Sequence, residues 1–180
     1  MTQRRIYQDE YPYFVTFRTK DGYPFFNDSK YTRLLSRIIF KTCEIKCYEV
    51  LSYQIMPDHV HLFVNSIKKA SATAESCARG RIKNDPAQVS APALGDSEGY
   101  IISQLMYTIK SYFLCELRKE CNIPYSIWQK RFHTRIVDAD EYLESIVMYI
   151  KQNPIKADLQ SKYHKMPYQY FDWNIIETIF

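Results

Sequence analysis

Two histidines, a tyrosine and an asparagine are the residues whose types and spacing point to chemistry. The stretch from Tyr53 to Asn65 reads Tyr-Gln-Ile-Met-Pro-Asp-His-Val-His-Leu-Phe-Val-Asn, with His59 and His61 two residues apart. Side chains repeat with period two along a strand, so both imidazoles leave one face and present nitrogen donors together. Val60, Leu62 and Val64 take the opposite parity and can pack into a core, while Phe63 and Asn65 share the histidine face. Pro57 and Asp58 are turn residues, so the strand is expected to open where the histidines begin. Such a pair suits a metal or a phosphate group, and it equally suits two imidazoles that are merely hydrogen-bonded.

The second cluster lies near the C-terminal end. Tyr149 and Asn153 are four residues apart in a stretch where Tyr142, Leu143, Ile146, Val147 and Ile150 recur at helical spacing, so phenol and amide share one stripe. Imidazole nitrogens and an amide oxygen would leave positions on a divalent cation open for phosphate oxygens and water. A phenol, with a pKa of about 10, attacks phosphorus only after losing its proton or with its phenolate stabilised by a cation. The resulting ester keeps the energy of the broken phosphodiester, so cutting and joining follow from one intermediate. The plainer reading of Tyr149 is a packed ring with its hydroxyl in water.

Strands and helices must position these groups. Tyr11 to Thr19 reads as a first strand, with Tyr13, Val15 and Phe17 on one parity and Phe14, Thr16 and Arg18 on the other, closed by an Asp21-Gly22 turn. Asn27 or Asp28 caps an amphipathic helix through Leu34, Leu35, Ile38, Ile39 and Cys43. Lys46 to Met56 alternates as a second strand, an antiparallel neighbour of the histidine strand. A long loop is expected over about 66–100, with one short helix near Thr73 to Ile82. Ile101 to Arg118 resumes helical spacing, Tyr125 to Asp138 is extended, and a last helix runs from Asp138 or Asp140 to Asn153, where Pro154 ends it. The order predicts an α+β, ferredoxin-like split βαβ fold: an antiparallel sheet with helices on one face and a C-terminal helix carrying Tyr149. An aromatic tail over about 160–180, with Tyr168, Tyr170, Phe171 and Trp173, is expected to cover a sheet edge or helix.

Composition bounds the rest. The 180 residues, 46% hydrophobic and 24% charged, suit a single catalytic domain over 1–180. A net charge of +4 allows an anionic partner such as nucleic acid without demanding one. No apolar run suggests a membrane segment, and an odd number of cysteines (five) without Cys-x-x-Cys spacing suggests reduced thiols in a cytoplasm. Lys130, Arg131, His133 and Arg135 are candidate contacts for DNA phosphates or bases, as is an arm bearing Arg4 and Arg5; Trp128 is a stacking candidate or a core residue.

Met56-Pro57-Asp58-His59-Val60-His61, followed by Leu62-Phe63-Val64, resembles the His-hydrophobic-His motif of the single-tyrosine, IS200-like transposases. Trp128-Gln129-Lys130-Arg131-Phe132-His133 and Tyr149-Ile150-Lys151-Gln152-Asn153-Pro154 resemble the branch associated with repetitive extragenic palindromes. The resemblance implies that His59 and His61 bind a divalent metal, Mg2+ or Mn2+, with Asn153 completing its sphere, and that Tyr149 attacks the scissile phosphate. It implies single-stranded DNA beside a hairpin or palindromic repeat as substrate, a 5′-phosphotyrosine intermediate, and a monomer or homodimer. Tyr112 is a rival nucleophile, outside the Tyr-Ile-x-x-Asn-Pro pattern. Two other readings stand beside this one: a metal hydrolase in which the histidines activate water, and a non-catalytic single-strand binding module in which Phe14, Tyr53 and Phe63 stack bases.

Overall fold

The computed structural model describes residues 11–66, 102–138 and 140–179. The expected loop at 66–100 with its short helix, and the Arg4–Arg5 arm, fall almost wholly outside these residues.

Period-two patterning builds β1 (Tyr13–Thr19), β2 (Tyr48–Ile55), β3 (His59–Ser66) and β4 (Trp128–Ile136). Between them run α1 (Ser29–Ile45), α2 (Ile102–Cys121) and α3 (Asp140–Lys156). The tail adds β5 (Gln169–Phe171) and α4 (Trp173–Ile179). All pairings are antiparallel in a five-stranded sheet of order β4-β1-β3-β2-β5. The first four strands and their two helices form the expected split βαβ arrangement. β5 covers the edge of β2, so the aromatic tail does lie along a strand edge.

The two faces of the sheet are filled differently. Tyr13, Val15, Phe17, Tyr53, Ile55, Val60, Leu62 and Val64 pack beneath α1 and α2, where Leu35, Ile39, Ile109 and Phe113 are fully buried. α1 starts where the Asp28 carboxylate accepts from the Lys30 amide at 2.8 Å, so the expected cap is the residue used. On the opposite face α3 lays Leu143, Ile146, Val147 and Ile150 over Leu51 and Phe63. Phe63 is therefore fully buried rather than presented on an open surface.

Two local expectations give way. Strict alternation fails in β2, because the pairing shifts between Val50 and Ser52 and leaves Leu51 as an extra residue. The bulge puts Tyr48, Val50, Tyr53 and Ile55 all on the α1 side, and turns Leu51 to α3. Pro154 does not end the last helix, which continues to Lys156. Proline leaves the Ile150 carbonyl without its helical donor, and the Gln169 amide approaches that carbonyl at 3.5 Å and the Lys151 carbonyl at 3.4 Å. Among the described residues Cys43, Cys115 and Cys121 are free thiols. Among the described residues no helix is long and apolar enough to cross a membrane.

Candidate active site

The β2–β3 hairpin sets the histidines. The Met56 amide donates to the His59 carbonyl at 2.8 Å and closes the Pro57-Asp58 turn. The amide and hydroxyl of Thr19 both donate to the Asp58 carbonyl, at 2.8 and 2.9 Å, and tie that turn to the end of β1. Beside it the expected Asp21-Gly22 turn forms, with Gly22 at φ +67°, a left-handed conformation open to glycine.

His59 Nδ1 lies 2.6 Å from Asp58 Oδ1, and a carboxylate only accepts, so Nδ1 carries the proton of this bond. Arg18 donates to the other carboxylate oxygen at 3.1 Å. Partial burial works to raise the Asp58 pKa, but the His59 hydrogen bond and charge, then those of Arg18, hold it below the usual carboxylate value. His61 Nδ1 shares a 2.9 Å hydrogen bond with Thr16 Oγ1. Burial, with the charges of His59 and Arg18, pushes the His61 pKa down to about 3, so its imidazole is neutral near pH 7. His61 Nε2 is buried and finds no hydrogen-bond partner among the described residues. The two rings stand 4.8 Å apart at 84°. Two imidazoles on one face, each held through Nδ1, turn their Nε2 atoms away from those partners, and that is an arrangement in which histidine can bind a metal.

α3 brings the phenol to the same spot. The Tyr149 ring lies 5.2 Å from the His61 ring and 6.0 Å from that of Phe14, which stacks on His61 at 5.6 Å. Tyr149 is 42% exposed, so a ligand can reach it. Asn153 follows one turn later, and its amide nitrogen is buried with no partner among the described residues. Among those residues no group of three or more His, Cys, Asp or Glu side chains is arranged to hold a metal ion. Imidazole nitrogens and a carboxamide oxygen are nevertheless donor types that suit Mg2+ or Mn2+ with positions left over.

Residues 7–75 match the family described as transposase IS200 like. The likeness to IS200-like transposases is therefore shown across the hairpin that holds both histidines. No curated protein matches the chain. Among solved structures it is similar to one described as a REP-associated tyrosine transposase bound to a REP hairpin, at 19% identity and TM-score 0.65, over 100% of this chain and 88% of that one. A transposase from Deinococcus radiodurans R1, assigned provisionally, aligns at 15% identity and TM-score 0.47, over 89% of this chain and 100% of that one. The first of these shares the fold.

Against that IS200-like frame the other expected residues divide. His133 and Arg135 sit directly across β4 from Thr16 and Phe14, so they join the histidine face, and both are exposed. Lys130 and Arg131 are exposed in the irregular part of β4, where the pairing with β1 shifts; Lys110 donates to the Gln129 carbonyl there at 2.9 Å. Tyr112 packs with the layer beneath α1 and α2, across the sheet from the histidines. Trp128 is buried against Phe17, Phe26 and Phe113 and is a core residue. Tyr53 and Phe63 are both fully buried, which removes two of the three rings a base-stacking sheet would need. Thr16, Asp58 and Phe14 were not singled out in the sequence as parts of the site; the shared parity of Phe14 and Thr16, and Asp58 beside His59, were the signals for them.

Proposed function

We propose that this chain nicks and rejoins single-stranded DNA beside a hairpin or palindromic repeat, through a covalent 5′-phosphotyrosine at Tyr149, and works in the cytoplasm as one catalytic domain. The observation that carries this reading is the Tyr149 ring 5.2 Å from His61, whose buried Nε2 has no partner among the described residues. His59 and His61, with Asn153, would hold Mg2+ or Mn2+ through Nε2 atoms and amide oxygen. Such an ion, when bound, supplies positive charge beside the phosphate under attack and favours the phenolate. Asp58 and Thr16 hold the imidazoles in place through Nδ1. Phe14 backs both His61 and Tyr149 and limits how far the phenol can swing. The Tyr149 oxygen forms a bond to phosphorus as its proton leaves, and the bond from phosphorus to the 3′-oxygen breaks to give a free 3′-hydroxyl. A second 3′-hydroxyl attacking the same phosphorus restores the phenol and joins DNA. His133 and Arg135, with Lys130 and Arg131 further along β4, would hold the phosphate backbone. Hairpin DNA as partner is favoured by the solved structure of the same fold, described as bound to a REP hairpin.

The test uses a labelled single-stranded oligonucleotide carrying a hairpin, Mn2+ and denaturing electrophoresis. A slower protein band bearing label is expected, absent for Tyr149→Phe and for His61→Ala and in EDTA. Binding without any adduct under all conditions would refute the reading.

A further inference from the structure

The β1–β4 ladder breaks at one place beside the candidate site. Phe17 pairs with Phe132 and Thr19 with Trp128, and between those pairs lie Gln129, Lys130 and Arg131 on β4 but only Arg18 on β1. Residues left over in such a bulge lose their ladder partners, so their carbonyls need donors from elsewhere. Arg18 is also the register partner of His59 on β3, which puts the bulge one strand away from the histidines. Bulges in such places re-aim side chains. Here those side chains are Lys130 and Arg131, both exposed.

The donor comes from α2. Lys110 Nζ donates to the Gln129 carbonyl at 2.9 Å and approaches the Arg131 carbonyl at 3.5 Å, so one ammonium spans the bulge from end to end. It also stands 5.9 Å from the centre of the Phe17 ring and 5.7 Å from that of Phe132, the pair of rings that closes the bulge. Burial pushes the Lys110 pKa down to about 8. The side chain keeps its proton near pH 7 and meets the carbonyls as a cation with three N–H donors and no acceptor. Hydrogen bonds from a charged donor are roughly twice as strong as neutral ones.

We propose that Lys110 is a positioning residue for DNA binding: its ammonium clamps the β4 bulge across the Gln129 and Arg131 carbonyls and fixes the backbone from which Lys130 and Arg131 reach phosphates. This rests on the reading of those two side chains as DNA contacts. An exposed bulge whose carbonyls bond only to water has several backbone conformations open to it. Ordering such a segment at the moment of binding weakens association, and a segment held beforehand avoids that loss. Lys110 itself lies over Phe17 and Phe132, so its part is to hold the bulge in place for the two exposed cations.

The experiment measures binding of a fluorescent single-stranded hairpin oligonucleotide to the full chain by anisotropy in EDTA, with backbone hydrogen exchange over 129–132 followed in parallel. Lys110→Met keeps the length of the stem across the two rings and removes the donors; Lys110→Leu is a second apolar variant. Each is compared with Lys130→Ala/Arg131→Ala and with the triple variant that adds Lys110→Met. Expected in both Lys110 variants are faster exchange over 129–132 and DNA affinity lower on the order of 10-fold, with no further loss when Lys110→Met is added to the double variant. Removing one positive charge from the domain at large would also weaken DNA binding, but that loss would persist with Lys130 and Arg131 already gone. A full further loss in the triple variant, or wild-type exchange or affinity in both Lys110 variants, would overturn the proposal. The double variant separates the two layers. If it binds as the wild type does, the reading of Lys130 and Arg131 as DNA contacts fails; if it binds more weakly while Lys110→Met and Lys110→Leu do not, only the role of Lys110 fails.

Discussion

The two faces of the sheet use the same strands for opposite purposes. Beneath α1 and α2 the packing is mostly apolar, as in the rings of Phe25, Phe26, Phe113 and Trp128, although Trp128 Nε1 is buried there without a hydrogen-bond partner among the described residues. Beneath α3 the same strands present Thr16, His61, Gln54 and Ser52, and three buried polar atoms there, His61 Nε2, Gln54 Oε1 and Ser52 Oγ, have no partner among the described residues. Each unmet polar atom in a dry site costs stability, and a bound ligand or water at such a cluster would satisfy it. One face makes the domain fold, and the other gives up part of that stability to hold buried polar groups.

Substitutions on opposite faces should therefore separate activity from stability. Tyr149→Phe is expected to reduce adduct formation on the order of 10⁴-fold or more while leaving the melting temperature near that of the wild type, because only an exposed hydroxyl is removed. Phe113→Ala should do the reverse, costing about 3–5 kcal/mol in denaturant unfolding with the cleavage pattern unchanged below the transition. A Tyr149→Phe protein that also unfolds early would break the division.

Acid sharpens the contrast. His61 has a folded pKa of about 3 against a reference of 6.5, so the unfolded chain binds its proton first. Stability is then full above pH 6.5 and falls progressively toward pH 3, by a few kcal/mol, in metal-free protein. His61→Gln should flatten that part of the profile in chemical denaturation at stepped pH; an unchanged slope would place the linkage elsewhere. The smallest expected effect is that of Asp58→Asn, about 10-fold in Mn2+ affinity by titration, because an amide can donate to Nδ1 and admit the unproductive tautomer of His59.

What the sequence made legible was periodic. Alternation announced β1 and β3, and with it the shared face of the histidines; helical spacing put Tyr149 and Asn153 on one stripe. What it hid was aperiodic or long-range. The extra residue at Leu51 reverses parity halfway along β2 with no Gly or Pro to mark it. Pro154 reads as a stop until Gln169, from a three-residue strand in the tail, is seen beside the carbonyl it frees. Gln54 reads as an ordinary polar strand residue, and only the helix laid over it makes its oxygen an unmet acceptor.

The assignment of the phenol to the histidine face is tested most directly by mapping the DNA adduct. After reaction of the hairpin oligonucleotide with Mn2+, nuclease and protease digestion, mass spectrometry should find the residual nucleotide phosphate on the peptide containing Tyr149. Its recovery on the peptide containing Tyr112, from the opposite face, would contradict the account.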